Sequence, residues 1–216
     1  MSPSDDIATP TPVETTSGAR RTRVQAVGAG AAVLAALAVG HVVVTAFPVD
    51  ERVSAPFVRP TVVGETVELR YARLTAGEPD GSTIVRVDRT TQLSTPGVFL
   101  TVPLTIVATG QPRLLSFAEL LGGDGRTYAV FTSGRSSFLP GTAQPGVPRY
   151  ATVSVELPPE ALPGAHLRIG LNLEDQRSDD LADIDLGLTQ ADADAWAADD
   201  TPVTVPPRSD EPPGES

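Results

Sequence analysis

The chain has 216 residues, a formal net charge of -11 and no cysteine. This length leaves room for one folded domain beside a membrane segment and two tails, and that domain must be stable without disulfide bonds. The acidic surface excludes nucleic acid as a partner and favours basic partners or cations. All basic residues are arginine, which is typical of a high-GC bacterium.

An uncharged apolar segment at residues 24–47 is the first feature along the chain. As a helix it would be about 36 Å long, enough to cross a hydrocarbon core of about 30 Å. Arg20, Arg21 and Arg23 precede it, which predicts a cytoplasmic N-terminus and an extracytoplasmic remainder. The alternative is a cleaved signal peptide, but signal h-regions have only about 7–15 apolar residues. We therefore expect a retained, single-pass anchor in the cell membrane, with the lipid bilayer around residues 24–47.

Composition and proline content divide the chain into five parts. Two tails lack the apolar content needed for a core and are predicted to be disordered. The predicted parts are a cytoplasmic tail at 1–19, the anchor at 20–47, a linker at 48–61, an extracytoplasmic domain at 62–205 and an acidic, proline-rich tail at 206–216.

Alternation of apolar and polar residues predicts the strands of the domain. The predicted runs are 66–71, 83–88, 98–109, 114–121, 126–131, 150–157 and 166–173, with short strands at 184–188 and 203–205. Turn residues at 78–81 and 95–97 are expected to break the chain, and the Asp-Gly pair within 122–125 predicts a hairpin. Pro103 indicates an edge position or a bulge in its strand.

Two short helical features are expected between the strands. Residues 158–162 can make one helical turn that begins with proline. Thr189, followed by Asp192, predicts the N-cap of a short helix that carries Trp196, whose ring should pack on the domain. Many short strands and no long amphipathic helix after the anchor predict an all-β domain, a β-sandwich, with a small barrel as the alternative.

Several short motifs resemble the DUF4352-type domains of Gram-positive and actinobacterial membrane-anchored proteins. They are Thr95-Pro96-Gly97-Val98-Phe99, Leu120 with Asp124-Gly125-Arg126-Thr127-Tyr128, Leu139-Pro140-Gly141, Glu156-Leu157-Pro158-Pro159-Glu160-Ala161-Leu162, and Leu167. The resemblance spans about residues 62–173. It implies an immunoglobulin-like, telokin-like β-sandwich behind a single N-terminal transmembrane helix, and it implies no activity.

The sequence holds no combination of residues typical of a catalytic site. Outside the anchor the only histidine is His166, expected on the surface, and no base accompanies a nucleophile. The glycine-rich 122–125 segment lacks the following helix that a phosphate site needs. We expect no enzyme, no cofactor and no metal. The carboxylates best placed for a hard cation such as calcium are Asp183, Asp185, Asp192 and Asp194.

Two functional hypotheses remain. The first is a non-enzymatic, membrane-tethered, extracytoplasmic interaction module that binds a partner protein, such as a co-encoded membrane complex, at the outer face of the membrane. The alternative is a binder or sensor of a cation or an envelope ligand that uses the acidic residues 174–200.

Overall fold

The computed structural model describes residues 38, 41, 55–130, 140–171 and 179–212. The chain divides into two compact units, Met1–Arg52 and Val53–Ser216. In the first unit only Ala38 and His41 are described, and both are helical and exposed. The predicted cytoplasmic tail and nearly all of the predicted anchor therefore lie outside the described residues. Within the described part of the chain, no helix is long and apolar enough to cross a membrane.

The described part of the second unit is mostly β-strand. Its elements are β1 (Phe57–Val62), β2 (Thr66–Glu68), β3 (Ala72–Ala76), β4 (Asp80–Arg86), β5 (Gln92–Ala108), β6 (Arg113–Leu115), β7 (Phe117–Leu121), β8 (Thr127–Ala129), β9 (Gly141–Ala143), β10 (Arg149–Leu157), a 3₁₀ turn (Pro159–Ala161), β11 (His166–Gly170), β12 (Asp180–Asp185), α1 (Gln190–Ala197) and β13 (Val203–Thr204).

Two sheets enclose the main hydrophobic core. Sheet A has the order β1-β12-β11-β7-β8, and sheet B has the order β13-β4-β5-β3-β2, with β10 paired to β5. Side chains of both sheets, among them Leu167 and Ile184 of sheet A and Leu100 and Val153 of sheet B, meet in one buried cluster. This arrangement is a β-sandwich, as the strand pattern predicts.

Strand β5 organises sheet B and differs from its predicted boundaries. The predicted break at 95–97 lies inside β5, and the chain continues past it in the same direction. Ser82 pairs with Phe99, but Ile84 pairs with Ser94, so five steps along β5 oppose two along β4. The Thr-Pro-Gly segment is therefore a bulge. The turn residues at 95–97 correctly predicted an irregular strand, but the predicted break of the chain was wrong.

The predicted turn at 78–81 is likewise a bulge and not a reversal. Both β3 and β4 run antiparallel to β5, with Ala76 opposite Leu104 and Asp80 opposite Thr101. The chain advances four residues from Ala76 to Asp80, while β5 advances only three between Leu104 and Thr101. The segment between β3 and β4 therefore contains one extra residue. The carbonyl of Pro103 faces this bulge and accepts a hydrogen bond from the Gly77 N–H at 2.8 Å. Pro103 thus lies in a central strand at a position where no backbone N–H is needed for sheet pairing. Of the two positions that the sequence predicted for it, an edge or a bulge, the structure shows the bulge.

The hairpin predicted around residues 122–125 is confirmed, since β7 and β8 pair antiparallel across it. Gly125 has a φ of 77°, a conformation that glycine adopts at low cost. A Cβ at Gly123 would collide with the carbonyl oxygen of Pro163. The glycines therefore allow a tight turn and close packing on the neighbouring loop.

Other strands are shorter than predicted or differently placed. The run 66–71 ends at Glu68, because Leu69 and Ala72 exchange backbone hydrogen bonds and reverse the chain. The run 114–121 is split at Ser116, and the run 184–188 ends as a strand at Asp185. Strand β1 begins inside the predicted linker at 48–61 and ends at Val62, and it pairs in parallel with β12, so the linker assignment was wrong for residues 57–61.

Helix α1 confirms the capping signal. The Thr189 side chain accepts from the Asp192 N–H, and the Asp192 carboxylate accepts from the Thr189 N–H, which together form a capping box. Trp196 is partly buried and packs against the core, as expected. Its ring lies against Gly81 of β4, where a Cβ would be 2.5 Å from two ring carbons.

Candidate binding groove

The outward face of sheet B is the most distinctive surface of the described residues. Along β5, Val98 and Leu100 are in the main core, so Phe99 between them points to the other side of the sheet. There it joins a second, smaller cluster with Val85 and Val205. The outward face is thus covered in part by the distal end of the β4–β5 hairpin and by the C-terminal segment.

A groove of about 630 Å³ continues along this face beyond the cluster. Its floor consists of outward side chains of β5 and β10, and all but one carry a hydroxyl group. These residues are Thr101, Pro103, Thr105, Tyr150 and Thr152. Along each strand these residues alternate with core residues. Across the two strands, Pro103 lies opposite Thr152 and Thr105 lies opposite Tyr150. The hydroxyl-bearing alternation of 150–154 was visible in the sequence, but the sequence did not show which surface it would line.

Two walls enclose the groove. One is the bulge between β3 and β4, which contributes Gly77, Glu78 and Asp80. The other is the segment after β13, which contributes Pro206, Pro207, Ser209, Glu211 and Pro212. We call residues 206–212 the strap. Composition predicts a disordered tail from residue 206, and the described part of that tail lies along the domain.

Backbone hydrogen bonds and an ion pair join the strap to the end of β10. Tyr150 and Ser209 exchange two backbone hydrogen bonds, of 2.8 and 3.0 Å. Arg149 donates to the Asp210 carboxylate at 2.9 Å, with the carboxyl side chain about half exposed. An ion pair this exposed contributes little, about 0–1 kcal/mol.

Proline limits this pairing on both sides. In an antiparallel pair, the next residues that exchange hydrogen bonds lie two positions away on each strand. Those positions would join Thr152 to Pro207 and Pro148 to Glu211, and a proline has no N–H to donate. Among the described residues, the backbone pairing between the strap and β10 is consequently limited to one two-bond bridge.

The groove has a negative rim. Among the described residues that line it, the charged ones are Glu78, Asp80 and Glu211. The strap itself adds Asp210 next to Glu211. Carboxylates therefore lie on both walls, while the strap also carries Arg208 and Arg149 pairs with Asp210. Such a site attracts cationic groups.

The four carboxylates considered for a cation lie on two elements. Asp183 and Asp185 are on β12, and Asp192 and Asp194 are on α1. Three of them bond locally: Asp185 to the Gly187 N–H, Asp192 to Thr189 and Asp194 to Gln190. These bonds to Thr189 also lower the pKa of Asp192. Among the described residues no group of three or more potential ligands lies together, and residues 174–178 are outside the description.

Asp183 belongs to a charged row on the outward face of sheet A. Its carboxylate is 3.3 Å from His166 Nδ1 and 3.7 Å from Arg168 Nε. Arg168 also contacts Glu119 on β7 at 3.4 Å. His166 is partly exposed, as expected for a surface residue. Its contact with the Asp183 carboxylate was not predicted from the sequence. The row is a cross-strand pairing of opposite charges.

A buried polar contact between the sheets was also missed from sequence. The Asp180 carboxylate is buried and accepts from the Arg70 N–H at 2.7 Å and from Arg59 Nε at 3.2 Å. The Tyr71 hydroxyl donates to the Asp180 carbonyl at 2.8 Å. Burial raises the pKa of Tyr71 well above its usual value, with Asp179 and Asp180 adding to the effect. The contact ties the β2–β3 turn to β12.

Comparison with known proteins identifies no family. No family model matches the chain, and no curated protein matches it. Solved structures with a similar fold include the yjhA protein from Bacillus subtilis (17% identity, TM-score 0.42, 58% of this chain and 99% of that chain). Two others are an uncharacterized β-sandwich protein from Clostridium difficile 630 (14%, 0.38, 60% and 95%) and a conserved hypothetical protein from Bacillus anthracis (14%, 0.39, 55% and 94%). Likeness at this level carries no argument about function.

Proposed function

We propose that this protein is a non-enzymatic, extracytoplasmic interaction module, tethered by residues 24–47 as a single-pass anchor, that binds a partner protein through the groove on sheet B. The β-sandwich is assigned to the immunoglobulin-like, DUF4352-type class on the motifs at residues 95–99, 120–128 and 156–162. The observation that carries the function is the groove itself: about 630 Å³ on the outward face of sheet B, lined by hydroxyls, prolines, one tyrosine and three carboxylates. These side chains can hold a ligand by contact and hydrogen bonds.

One contact of the lining favours binding over catalysis. General acid–base chemistry needs a titratable group beside a nucleophile with a suitably shifted pKa. The hydroxyls on the groove floor include Thr101, which donates to the Asp80 carbonyl at 3.1 Å. That contact positions a structural hydroxyl and gives it no base.

Photocross-linking in the native host tests the function. A photoreactive amino acid replaces Thr105, which lines the groove, or Thr127, which is exposed on β8 of sheet A. We expect a discrete protein adduct from position 105 and none from position 127. Identical adduct patterns, or no adduct at either position, would reject the groove as the partner surface.

The membrane topology has a separate test, because the chain has no cysteine. Thr127→Cys and Ser4→Cys each introduce a single thiol, one in the domain and one in the N-terminal tail. A membrane-impermeant maleimide added to intact cells should label the first and not the second. Labelling of Ser4→Cys alone would reverse the proposed orientation.

A further inference from the structure

The strap is a fixed wall of the groove. Just before it, the Val205 N–H donates to the Arg86 carbonyl at 2.9 Å, and within it Ser209 exchanges two backbone hydrogen bonds with Tyr150. The Ser209 hydroxyl accepts from the Glu211 N–H at 2.9 Å, and Glu211 lines the groove. A ligand therefore meets a site with two walls and a floor.

The charged side chains that line the groove are all carboxylates. Glu78 and Asp80 lie on the wall between β3 and β4, and Glu211 lies on the strap. Among the described residues, no three potential ligands lie close enough together to hold one metal ion. A hard cation such as calcium needs several oxygen atoms at about 2.3–2.6 Å. Carboxylates spread over two walls suit a larger, organic cation.

Two arginines near the strap do not neutralise this lining. Arg149 donates to the Asp210 carboxylate at 2.9 Å, and neither residue lines the groove. Arg208 belongs to the strap, and its guanidinium lies beside Gly141 of β9, where a Cβ would be 2.6 Å from Nη1. Arg208 is likewise outside the lining. The described lining therefore combines three carboxylates with no cationic group.

The floor offers a buried hydroxyl that lacks a partner. Thr152 is 6% exposed and lines the groove, and among the described residues its hydroxyl makes no hydrogen bond. Thr101, by contrast, donates to the Asp80 carbonyl at 3.1 Å. Buried polar groups are normally hydrogen-bonded. A ligand that donates a hydrogen bond at Thr152 therefore completes the site.

Tyr150 and four prolines supply apolar surface in the same groove. Pro103 lies on the floor, and Pro206, Pro207 and Pro212 lie on the strap. A basic side chain packs its aliphatic stem on such a surface and keeps its charged end near water and carboxylates. An aromatic ring also attracts a guanidinium that lies over its face.

Building on the proposed function, we propose that the groove binds arginine side chains on an exposed segment of the partner protein, with the strap in place as a wall. The arginine stem lies along Tyr150 and the prolines. Its guanidinium lies between the carboxylates of the two walls and donates to the Thr152 hydroxyl. Arginine fits better than lysine, because a planar guanidinium can donate to a carboxylate and to a hydroxyl at once.

The test measures binding of defined peptides to the full chain in detergent micelles by fluorescence anisotropy. The probe is a short, fluorescein-labelled peptide in which arginine alternates with glycine. Its matched control carries citrulline, which keeps the shape of arginine without the charge. We expect the citrulline peptide to bind at least about tenfold more weakly, and a lysine peptide to bind with intermediate affinity.

Matched variants locate the cation within the groove. Glu78→Arg and Glu211→Arg should each weaken binding of the arginine peptide about threefold to tenfold. Glu160→Arg makes the same charge change on the 3₁₀ turn, beyond the other end of β10, and should leave the affinity unchanged. Thr152→Val removes the floor hydroxyl and should weaken binding by a similar factor. Ser154→Ala removes a buried hydroxyl of β10 that does not line the groove and should have no effect.

Equal binding of the arginine and citrulline peptides would overturn the inference. That comparison uses the unchanged chain, so it decides the question even where a substitution prevents folding. Unchanged affinity of both wall variants would also overturn it, because the cation would then lie elsewhere. If unlabelled spermidine competes as well as the unlabelled arginine peptide, the site takes a free polyamine and the partner segment is rejected.

The cross-linking result separates this inference from the proposed function. An adduct at position 105 together with equal binding of the two peptides rejects arginine recognition and keeps the groove as the partner surface. Absence of the adduct rejects the proposed function whatever the peptides do.

Discussion

The contact between Gly81 and Trp196 allows a stability prediction with a defined atomic cause. An alanine Cβ at position 81 would lie 2.5 Å from Cδ2 and Cε3 of the indole ring. Carbon atoms in contact are normally about 3.5–4.0 Å apart, so the ring must move by about 1 Å or more. Overpacking of this kind costs about 1–3 kcal/mol. For a domain of this size, Gly81→Ala should lower the Tm by about 2–12 °C.

The assay uses the single tryptophan of the chain as its reporter. Thermal unfolding of the full chain in detergent is followed by tryptophan fluorescence and circular dichroism, and the ring's emission should shift to longer wavelength as it is pushed toward water. A double-mutant cycle isolates the contact. In a Trp196→Ala background, Gly81→Ala should have little effect, within about 0.5 kcal/mol. An equal loss of stability in both backgrounds would refute the collision with the ring.

Four further predictions follow from other contacts and from the sequence. Ile169→Ala should lower the free energy of unfolding by about 2–5 kcal/mol because Ile169 is fully buried. Arg168→Ala should lower it by less than about 1 kcal/mol because the ion pairs of Arg168 are partly exposed. Equal losses of stability in urea unfolding would reject the strand register. The Asp88 carboxylate accepts from the N–H groups of Thr90 and Thr91, and these bonds lower its pKa to about 2. The ionised Asp88 carboxylate therefore stabilises the fold above a pH of about 4, and this contribution is lost as the pH falls from about 4 to about 2. The Tm difference between the wild type and Asp88→Asn should shrink over that range, and a growing difference would contradict the prediction. Calcium at about 5 mM should change the Tm by less than about 1 °C, whereas saturation to 100 times a Kd would add about 2.7 kcal/mol. N-terminal sequencing of the membrane-bound protein should show a retained anchor, and a soluble species beginning at Phe47 would show cleavage.

Sequence reasoning located irregularities in the strands better than it located reversals of the chain. Proline and glycine at 78–81 and 95–97 mark places where the ladder cannot be regular, and both are bulges. Whether such a site reverses the chain depends on pairing with β5, which is not encoded in the local residues. Local signals with a complete mechanism, such as the Asp-Gly hairpin and the Thr189 cap, were correct.

The groove was not predictable for a related reason. Tyr150 and Thr152 looked like the solvent face of an ordinary strand, and the strap looked like a tail without core-forming residues. Their association rests on a backbone bridge between residues 59 positions apart, which no periodicity reports. The same limit applies to Asp180, because burial of its carboxylate depends on partners supplied by the distant β2–β3 turn.

The parallel pairing of β1 with β12 has a consequence for how the domain acquires its structure during synthesis. Phe57 pairs with Asp180, so the first strand of sheet A gains its neighbour only after more than one hundred further residues have been made. Such a high contact order predicts slow folding, since a long loop must close before the pairing contributes. A nascent chain that ends before β12 leaves β1 without its partner and leaves one edge of β11 unpaired. Strand β12, near the end of the chain, therefore determines when the first strand can fold.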